Sequence, residues 1–449
     1  MDRLVVLVAK IFCIAARLLG GGTSMPGKFA MHLRPKILHY LTRDCTVILV
    51  TGTNGKTTTC AQITSILKAA GCNVVNNGSG ANMKSGIVSA LIEGFPVFSK
   101  RKTKSCAVIE TDEAYLQYIT SEITPEIIAV TNLFRDQLDR YGEVDKTFKL
   151  IKKGCELAPT TTLVLNGDES IFSDFVPNMK KYFFGFRLNP FFEGANELNA
   201  EGRYCTSCNK PYIYNFRTFN HLGDFCCESC GKKRPKLSLG VDKVPVLTAD
   251  CSQVSFDGLE VLIPMPGAYN IYNALCAATV AGAMGVCPDD IKKGIENQGS
   301  KFGRQETVMV DEREVRIILV KNPAGCNEAI NSVLPDKEKI QFCFLVNDNP
   351  ADGTDISWLY DAQFEKLAKM DYQHVLVGGI RAYDMGIRLK CAGFDPGRIT
   401  IADDYDSVLY SIRTNLTGRI YLFTTYTAMT SFRKFLHKKK YISTLWGED

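Results

Sequence analysis

From about residue 46 onward the chain alternates short apolar runs with amphipathic stretches. "CTVILVTG", "KSCAVIET", "EIIAVTN" and "TTLVLNGD" are apolar runs of strand length, and "KTTTCAQITSILKAAG" reads as a helix ending at Gly71. Such alternation implies a parallel sheet with helices on its faces. The rhythm breaks near residue 187, where Gly, Asn, Tyr and Cys accumulate up to about 236. "NIYNALCAATVAGAMG" is a helix. Past "KFGRQE" a second alternating unit begins, with "VRIILV", "IQFCFLVND", "HVLVGG" and "RIYLFTTY" as its strands. The pattern predicts an α/β protein divided into a helical segment over 1–45, a domain over 46–304 with an insertion at about 200–236, and a second α/β domain over 305–449.

The N-terminal segment has its own pattern. Apolar residues at 4, 7, 8, 11, 12, 14, 15, 18 and 19 fit a helical stripe. Lys10 and Arg17 interrupt it, so no span approaches the roughly 20 uncharged residues that a membrane helix needs. Three readings stay open: a helix packed on its own domain, a helix lying near a membrane surface, and an uncleaved anchor.

Composition adds bounds. The chain of 449 residues is too long for one ordinary core, and 45% apolar with 22% charged residues fits a globular protein. A net charge of +5 gives no strong case for nucleic acid. Seventeen cysteines, an odd number, lie mostly alone in apolar runs (Cys60, Cys106, Cys276, Cys343). That usage predicts reduced, buried thiols in a cytoplasmic protein rather than a disulfide framework.

The candidate chemistry begins at "VTGTNGKTTT", residues 50–59, where an apolar strand runs into a glycine-rich turn and a helix. That arrangement is an anion site, because backbone N–H groups of the turn and the helix start point at the ligand. Gly52 and Gly55 let the backbone approach phosphate, and Thr53, Asn54 and Thr58 complete the loop. Lys56 offers a point charge to the β- and γ-phosphates, and the Thr57 hydroxyl can bind Mg²⁺. The reading is ATP binding.

The loop resembles that of the Mur ligase family, which includes the folylpolyglutamate synthases. Further stretches carry the resemblance in the right order: "VIETDEA", "TNLFRDQLDRYG", "GAYNIYNALCAA" and "FGRQE". The resemblance implies ATP-dependent formation of an acyl phosphate on a carboxylate, then attack by an amine to give an amide. It places Glu110 as a Mg²⁺ ligand and Asn270, Asn273 and Arg304 near the nucleotide. One position departs from the family: its D-H-L-D histidine is Gln137 here, which puts a second Mg²⁺ in question. Asp136, Asp139 and Arg140 are either a solvated helix-start cluster or neighbours of the γ-phosphate.

"CTSC" at 205–208 and "CESC" at 227–230 place two C-x₂-C pairs eighteen residues apart. That is zinc-ribbon spacing, with Cys205, Cys208, Cys227 and Cys230 as a closed structural Zn²⁺ site. Cys226 falls out of the two-residue spacing. Ordinary Mur ligases lack this insertion.

The ribbon and "NDNPADGTDISWLYD" at 347–361 together resemble one subgroup, the MurT-type subunits, which work with a GatD-type glutamine amidotransferase. The implied fold is a Mur-ligase-type central P-loop ATPase domain with an inserted four-cysteine zinc ribbon, followed by a Rossmann-like C-terminal α/β domain. The implied activity is ATP-dependent amidation of the D-glutamate of the lipid II stem peptide to D-isoglutamine, in peptidoglycan synthesis. Ammonia would come from the partner, since none of the five histidines lies in a recognisable nucleophile motif. In the subgroup an aspartate of this stretch completes the partner's Cys–His pair; the role falls to Asp355, with Asp352 second. A helix cap near Ser357 is the alternative for Asp355. Lys321 and Asn322 either reach the phosphate or the acyl intermediate across the cleft, or form a helix-start turn with Pro323 at the first helical position. A single-chain ligase adding an amino acid, and a non-catalytic ATP-binding scaffold, remain as competing readings. The expected location is cytoplasmic, at or near the inner face of the membrane.

Overall fold

The computed structural model describes residues 2–18, 24–78, 82–96, 105–134, 144–188, 202–219, 221–298, 304–414 and 418–443. Strands β1 (Thr46–Thr51), β2 (Asn73–Asn76), β3 (Ser105–Glu110), β4 (Ile127–Val130), β5 (Thr162–Asn166) and β6 (Lys181–Phe186) belong to one large sheet. β1, β3 and β4 are rich in Val and Ile and almost wholly buried, as strands covered on both faces must be. One face packs on the helices Lys56–Ala69 and Ala268–Ala283, the other on Lys84–Gly94 and the N-terminal helices.

A short ribbon, β7 (Ile213–Phe219) and β8 (Leu222–Cys226), interrupts the sheet in sequence. The sheet resumes with β9 (Leu239–Leu247), β10 (Ser252–Phe256) and β11 (Leu259–Ile263), giving the order β11-β10-β9-β6-β5-β4-β1-β3-β2. The parallel sheet read from sequence is therefore a mixed one, since β10 runs antiparallel to both β9 and β11. Asp257 and Gly258, with φ of +48° and +92°, make the two-residue turn that the right-handed twist of a hairpin favours.

The second sheet contains β12 (Arg304–Val310), β13 (Arg313–Leu319), β14 (Ile340–Leu345), β15 (Tyr372–Gly378), β16 (Ile399–Ile401) and β17 (Arg419–Thr424). Its order is β12-β13-β17-β14-β15-β16, parallel except for the β12–β13 hairpin. Two cores line its faces, one built around Phe342, Phe344 and Phe423, the other around Leu345, Leu422 and Phe432. Arg316 of β13 ties the two sheets together: its Nη1 donates to the Ala249 carbonyl at 2.8 Å and it pairs with Asp250.

At the N-terminus, Asp2–Leu18 and Met25–Leu33 form two helices that lie on Lys84–Gly94. Gly27 is required there, since a Cβ at this position would sit 1.9 Å from the Ser85 carbonyl oxygen. Among the described residues no helix is long and apolar enough to cross a membrane.

Candidate active site and four-cysteine centre

β1 lies between β3 and β4, with Val50 in register with Glu110 and Thr51 with Val130. The chain leaves the C-terminal ends of all three strands on one edge, so the Gly52–Gly55 turn falls between Glu110 and Thr131–Asn132. Such a point of reversal is where open α/β sheets bind ligands. Gly52 has φ +123° and a Cβ there would lie 2.4 Å from Thr131 Oγ1; at Gly55, φ is +82° and a Cβ would lie 2.1 Å from Asn273 Oδ1. Both positions need glycine on conformation and on space.

The turn is held before any ligand arrives. Thr53 N–H donates to the Asn132 carbonyl at 3.0 Å, and Asn54 N–H to Asn132 Oδ1 at 2.9 Å. The Thr131 hydroxyl and Asn132 Nδ2 both donate to the Asn54 carbonyl, at 2.6 and 3.1 Å. The helix Lys56–Ala69 starts directly after, so its first N–H groups and the positive end of its dipole face the mouth of the turn. Thr58 stands half-buried in that first turn.

Lys56 Nζ donates to Glu113 Oε1 at 2.8 Å and to the Gly52 carbonyl. The Thr57 hydroxyl donates to Glu110 Oε2 at 2.6 Å. Glu110 is itself fixed by a reciprocal pair, its N–H donating to Asn77 Oδ1 and its carbonyl accepting from Asn77 Nδ2, both at 2.8 Å. Asn82 Nδ2 reaches its other carboxylate oxygen at 3.4 Å. A hydroxyl and a carboxylate side by side at a phosphate loop are the hard oxygen donors that Mg²⁺ takes alongside substrate phosphates.

Two neighbours close the site. The helix Ala268–Ala283 brings Asn273 against Gly55, and Asn273 Nδ2 donates to Asn270 Oδ1 at 3.3 Å. From the second sheet, the turn after β13 sends Lys321 Nζ to the Thr53 carbonyl at 3.3 Å and Asn322 Nδ2 to Asn54 Oδ1 at 3.4 Å. Asn322 also caps the helix Pro323–Val333, accepting from Gly325 N–H at 2.8 Å with Pro323 in the first turn. The cap and the reach across the cleft are thus one arrangement. The structure brings together Gly52, Thr53, Asn54, Gly55, Lys56, Thr57, Glu110, Asn273 and Lys321. The Arg304 side chain and residues Asp136, Gln137, Asp139 and Arg140 lie outside the described residues. Glu113 was not singled out from sequence, where it is a lone acid in the turn after β3; only its contact with Lys56 marks it.

The Sγ atoms of Cys205, Cys208, Cys227 and Cys230 all lie within 4.8 Å of one another, the cysteine cluster found among the described residues. Cys205 Sγ and Cys230 Sγ are 3.5 Å apart, as are those of Cys208 and Cys227. A disulfide needs about 2.05 Å, whereas four thiolates at about 2.3 Å from a tetrahedral ion stand roughly 3.8 Å apart. Each pair sits on the same knuckle: Cys205 N–H donates to the Lys210 carbonyl and Cys227 N–H to the Lys232 carbonyl, both at 2.7 Å. Asn209 and Gly231 take the left-handed conformation that each knuckle requires, at φ +57° and +75°.

A buried polar network joins this ribbon to the sheet. Arg234 Nη1 donates to Asp168 Oδ1 at 2.9 Å, and the Tyr272 hydroxyl and Phe186 N–H donate to Asp168 Oδ2 at 2.6 and 2.8 Å. Burial lifts the Asp168 carboxyl above its usual range despite the opposing Arg234 and Tyr272. Tyr272 sits between Asn270 and Asn273, so the ribbon is braced against the helix that supports the phosphate turn. His221 of the ribbon is buried with its Nε2 at 2.7 Å from Glu169 Oε2.

In the 347–361 loop the two aspartates differ. Asp352 is 4% exposed, and its carboxylate accepts from Thr427 N–H at 2.6 Å, the Thr427 hydroxyl, and Asn349 N–H at 3.2 Å. It fastens the loop to the helix Tyr426–Lys438. Asp355 is half-buried at the surface, and its Oδ1 accepts from Ser357 N–H at 2.8 Å, two residues on; the capping position of the short turn Ser357–Tyr360 is Ile356, so the cap expected of Asp355 is not formed by its side chain. Several thiols elsewhere are packing groups: burial pushes Cys155 up to about 12 and raises Cys276, Cys326 and Cys343 as well.

Comparison with known proteins agrees with this geometry. The family model for the Mur ligase middle domain matches residues 50–223, and that for the MurT ligase C-terminal region matches 319–429. The chain is 37% identical over 425 residues to the lipid II isoglutaminyl synthase (glutamine-hydrolyzing) subunit MurT of Streptococcus pneumoniae, covering 94% of each. It is 35% identical over 410 residues to the subunit of that name from Staphylococcus aureus strain COL, covering 89% of this chain and 90% of the relative. Among solved structures, a pseudomurein peptide ligase type C from Methanothermus fervidus superposes with a TM-score of 0.67 at 21% identity, over 90% of this chain and 80% of that one; this likeness speaks for the fold. With both regions matched and near-full-length identity above a third, the chain belongs to the family of MurT ligase subunits within the Mur ligases.

Proposed function

We propose that the chain is the ATP-dependent ligase subunit of a lipid II isoglutaminyl synthase. It activates the D-glutamate carboxylate of the stem peptide as an acyl phosphate and joins it to ammonia, giving D-isoglutamine for peptidoglycan synthesis. The observation that carries this reading is the relative named for that activity, matched over 94% of both chains. An intact phosphate turn at the sheet's reversal point supports it.

In this reading the turn Gly52–Gly55 and the start of the helix Lys56–Ala69 bind the triphosphate through backbone N–H groups. Lys56 leaves Glu113 to meet the β- and γ-phosphate oxygens. Thr57 and Glu110 are the residues that would hold Mg²⁺, which when bound would supply positive charge against the phosphates. Asn273 keeps the Gly55 backbone in place, with Asn270 and Arg304 nearer the nucleoside. Lys321 follows the second sheet as it closes over the turn and supplies positive charge where the acyl phosphate forms. Cys205, Cys208, Cys227 and Cys230 hold a structural Zn²⁺, which closes its sphere and stabilises the ribbon. The domain division at 45 and 304 accords with one sheet for ATP and one that closes on it.

Ammonia comes from a GatD-type glutaminase bound as a second subunit. Asp355 faces that partner and orients the imidazole of its catalytic histidine. Its place at the surface supports the choice over Asp352, whose carboxylate is spent on Thr427 and Asn349. The protein acts at the inner face of the membrane, where its substrate is anchored. The test is ADP release from the purified chain with a muramyl peptide bearing D-glutamate. Release driven by ammonium supports the reading; release driven only by a free amino acid would favour an amino-acid-adding ligase.

A further inference from the structure

We infer that the two N-terminal helices form a docking face for an anionic lipid bilayer. On Asp2–Leu18 the residues Val6, Ala9 and Cys13 are buried against the body of the protein. The opposite side is also apolar: Leu4, Val8 and Ile11 are 63%, 40% and 61% exposed. On Met25–Leu33 the buried side is Pro26, Gly27 and Ala30. Its outer side shows Met25, Phe29 and Leu33, 55%, 37% and 49% exposed. The helices run antiparallel, with Arg34 paired to Asp2 at 3.0 Å at one end and the rings of Phe12 and Phe29 5.5 Å apart further along. Two apolar rows therefore lie side by side on the outside of the molecule. One helix with an exposed leucine needs no explanation; two adjoining rows of three form a contiguous patch, which does.

Charge selects the occupant. The first 45 residues hold seven Lys or Arg and two Asp, an excess of five, and the whole chain has an excess of five, so the remainder is balanced. All the net positive charge of the protein is thus on the segment that carries the apolar rows. Arg3, Lys28, Arg34 and Lys36 are exposed around them. Apolar side chains ringed by cations suit a surface of acyl chains under anionic headgroups. A second copy would bring like charge against like charge. This inference rests on the reading of a lipid-linked substrate: a ligase held flat on the bilayer meets the stem peptide without leaving the surface.

The test is sedimentation of the full-length chain with vesicles that contain no substrate. It should bind vesicles of phosphatidylcholine mixed with phosphatidylglycerol and not those of phosphatidylcholine alone. Leu4→Glu with Ile11→Glu changes two solvent-facing side chains and should lower that binding on the order of tenfold or more. Arg3→Glu with Lys28→Glu keeps the apolar rows and should lower it as well, with the salt sensitivity gone. ADP release with a soluble muramyl peptide should be unchanged in both variants, while amidation of the lipid-linked substrate in anionic vesicles falls with the binding. No binding of the wild type to anionic vesicles, or equal binding to neutral ones, overturns the inference. So does a dimer in sedimentation velocity that Leu4→Glu with Ile11→Glu dissociates, which would assign the face to a second copy. If the soluble peptide is not turned over while vesicle binding and its loss stand, the substrate reading fails and the membrane face holds.

Discussion

Replacing Lys56 by Ala should do two separable things. The Nζ is 2.8 Å from Glu113 Oε1, and the side chains of the pair are 11% and 6% exposed. Removal of the cation takes away a charge that meets phosphate in the transition state; losing one such donor costs about 3–4 kcal/mol, or roughly 10²–10³ in turnover. It also strands Glu113 as a nearly buried carboxylate. Breaking a fully buried pair costs about 3–5 kcal/mol; beside the open mouth of the turn about 2 kcal/mol is expected, a drop of roughly 4–8 °C in melting temperature. Adding Glu113→Gln to Lys56→Ala removes the stranded charge, so stability should return while activity does not. The assay pairs ADP release, coupled to a reporter enzyme, with thermal and urea unfolding of the wild type, both single variants and the double variant. Near-normal ADP release by Lys56→Ala would refute the assignment of the phosphate turn. Strictly additive stability losses would show that Lys56 and Glu113 are not coupled.

The four cysteines should bind about one Zn²⁺ per chain by elemental analysis, and Cys227→Ser should lower both metal content and melting temperature, because binding is coupled to folding of the ribbon. Asp355→Asn should leave the complex with the glutaminase intact and slow glutamine-driven amidation by up to roughly 10⁴-fold, the scale known when an amide replaces the aspartate of a Ser-His-Asp site. Ammonium-driven amidation should survive, and equal loss of both would move Asp355 to the ligase chemistry. Asp336 is the pH case. Burial would lift its carboxyl, but bonds from Tyr421, Glu338 N–H and Arg419 outweigh it and hold the pKa below the usual range. A lowered folded value gives stability that is fully present above the ordinary carboxylate pKa of about 4 and lost as pH falls through the lower value. Asp336→Asn should therefore destabilise at neutral pH and flatten the acid side of the urea-midpoint profile; an unchanged acid slope would remove Asp336 from that account.

The parallel strands were legible because each is a short, wholly apolar run, as in "TVILVT" and "SCAVIE". The glycines of the phosphate turn were legible for the same kind of reason, since few other uses put two glycines and a lysine between a strand and a helix. The antiparallel β9–β11 portion was not, although Asp257–Gly258 is a hairpin signal, because β9 alternates only weakly and its pairing with β6 is distant in sequence. Contacts across the cleft were legible only in part. Lys321 and Asn322 stood out by resemblance, but that Asn322 caps its own helix and also reaches Asn54 depends on how the two sheets meet. Glu113 was missed because a lone acid in a turn carries no spacing signal until Lys56 is folded against it. The difference between Asp352 and Asp355 likewise came from burial, since the loop places one carboxylate under Thr427 and the other at the surface.

The central claim is that this chain converts the D-glutamate carboxylate of a lipid-linked stem peptide to a carboxamide. The direct measurement is mass spectrometry of the muramyl peptide after incubation with the chain, its glutaminase partner, ATP, Mg²⁺ and glutamine carrying heavy nitrogen in its side-chain amide. Heavy nitrogen is expected at the D-glutamate carboxyl, with one ADP released per amide formed and no product without ATP. A peptide lengthened by a whole amino acid, or an amide formed without ADP, would contradict the claim.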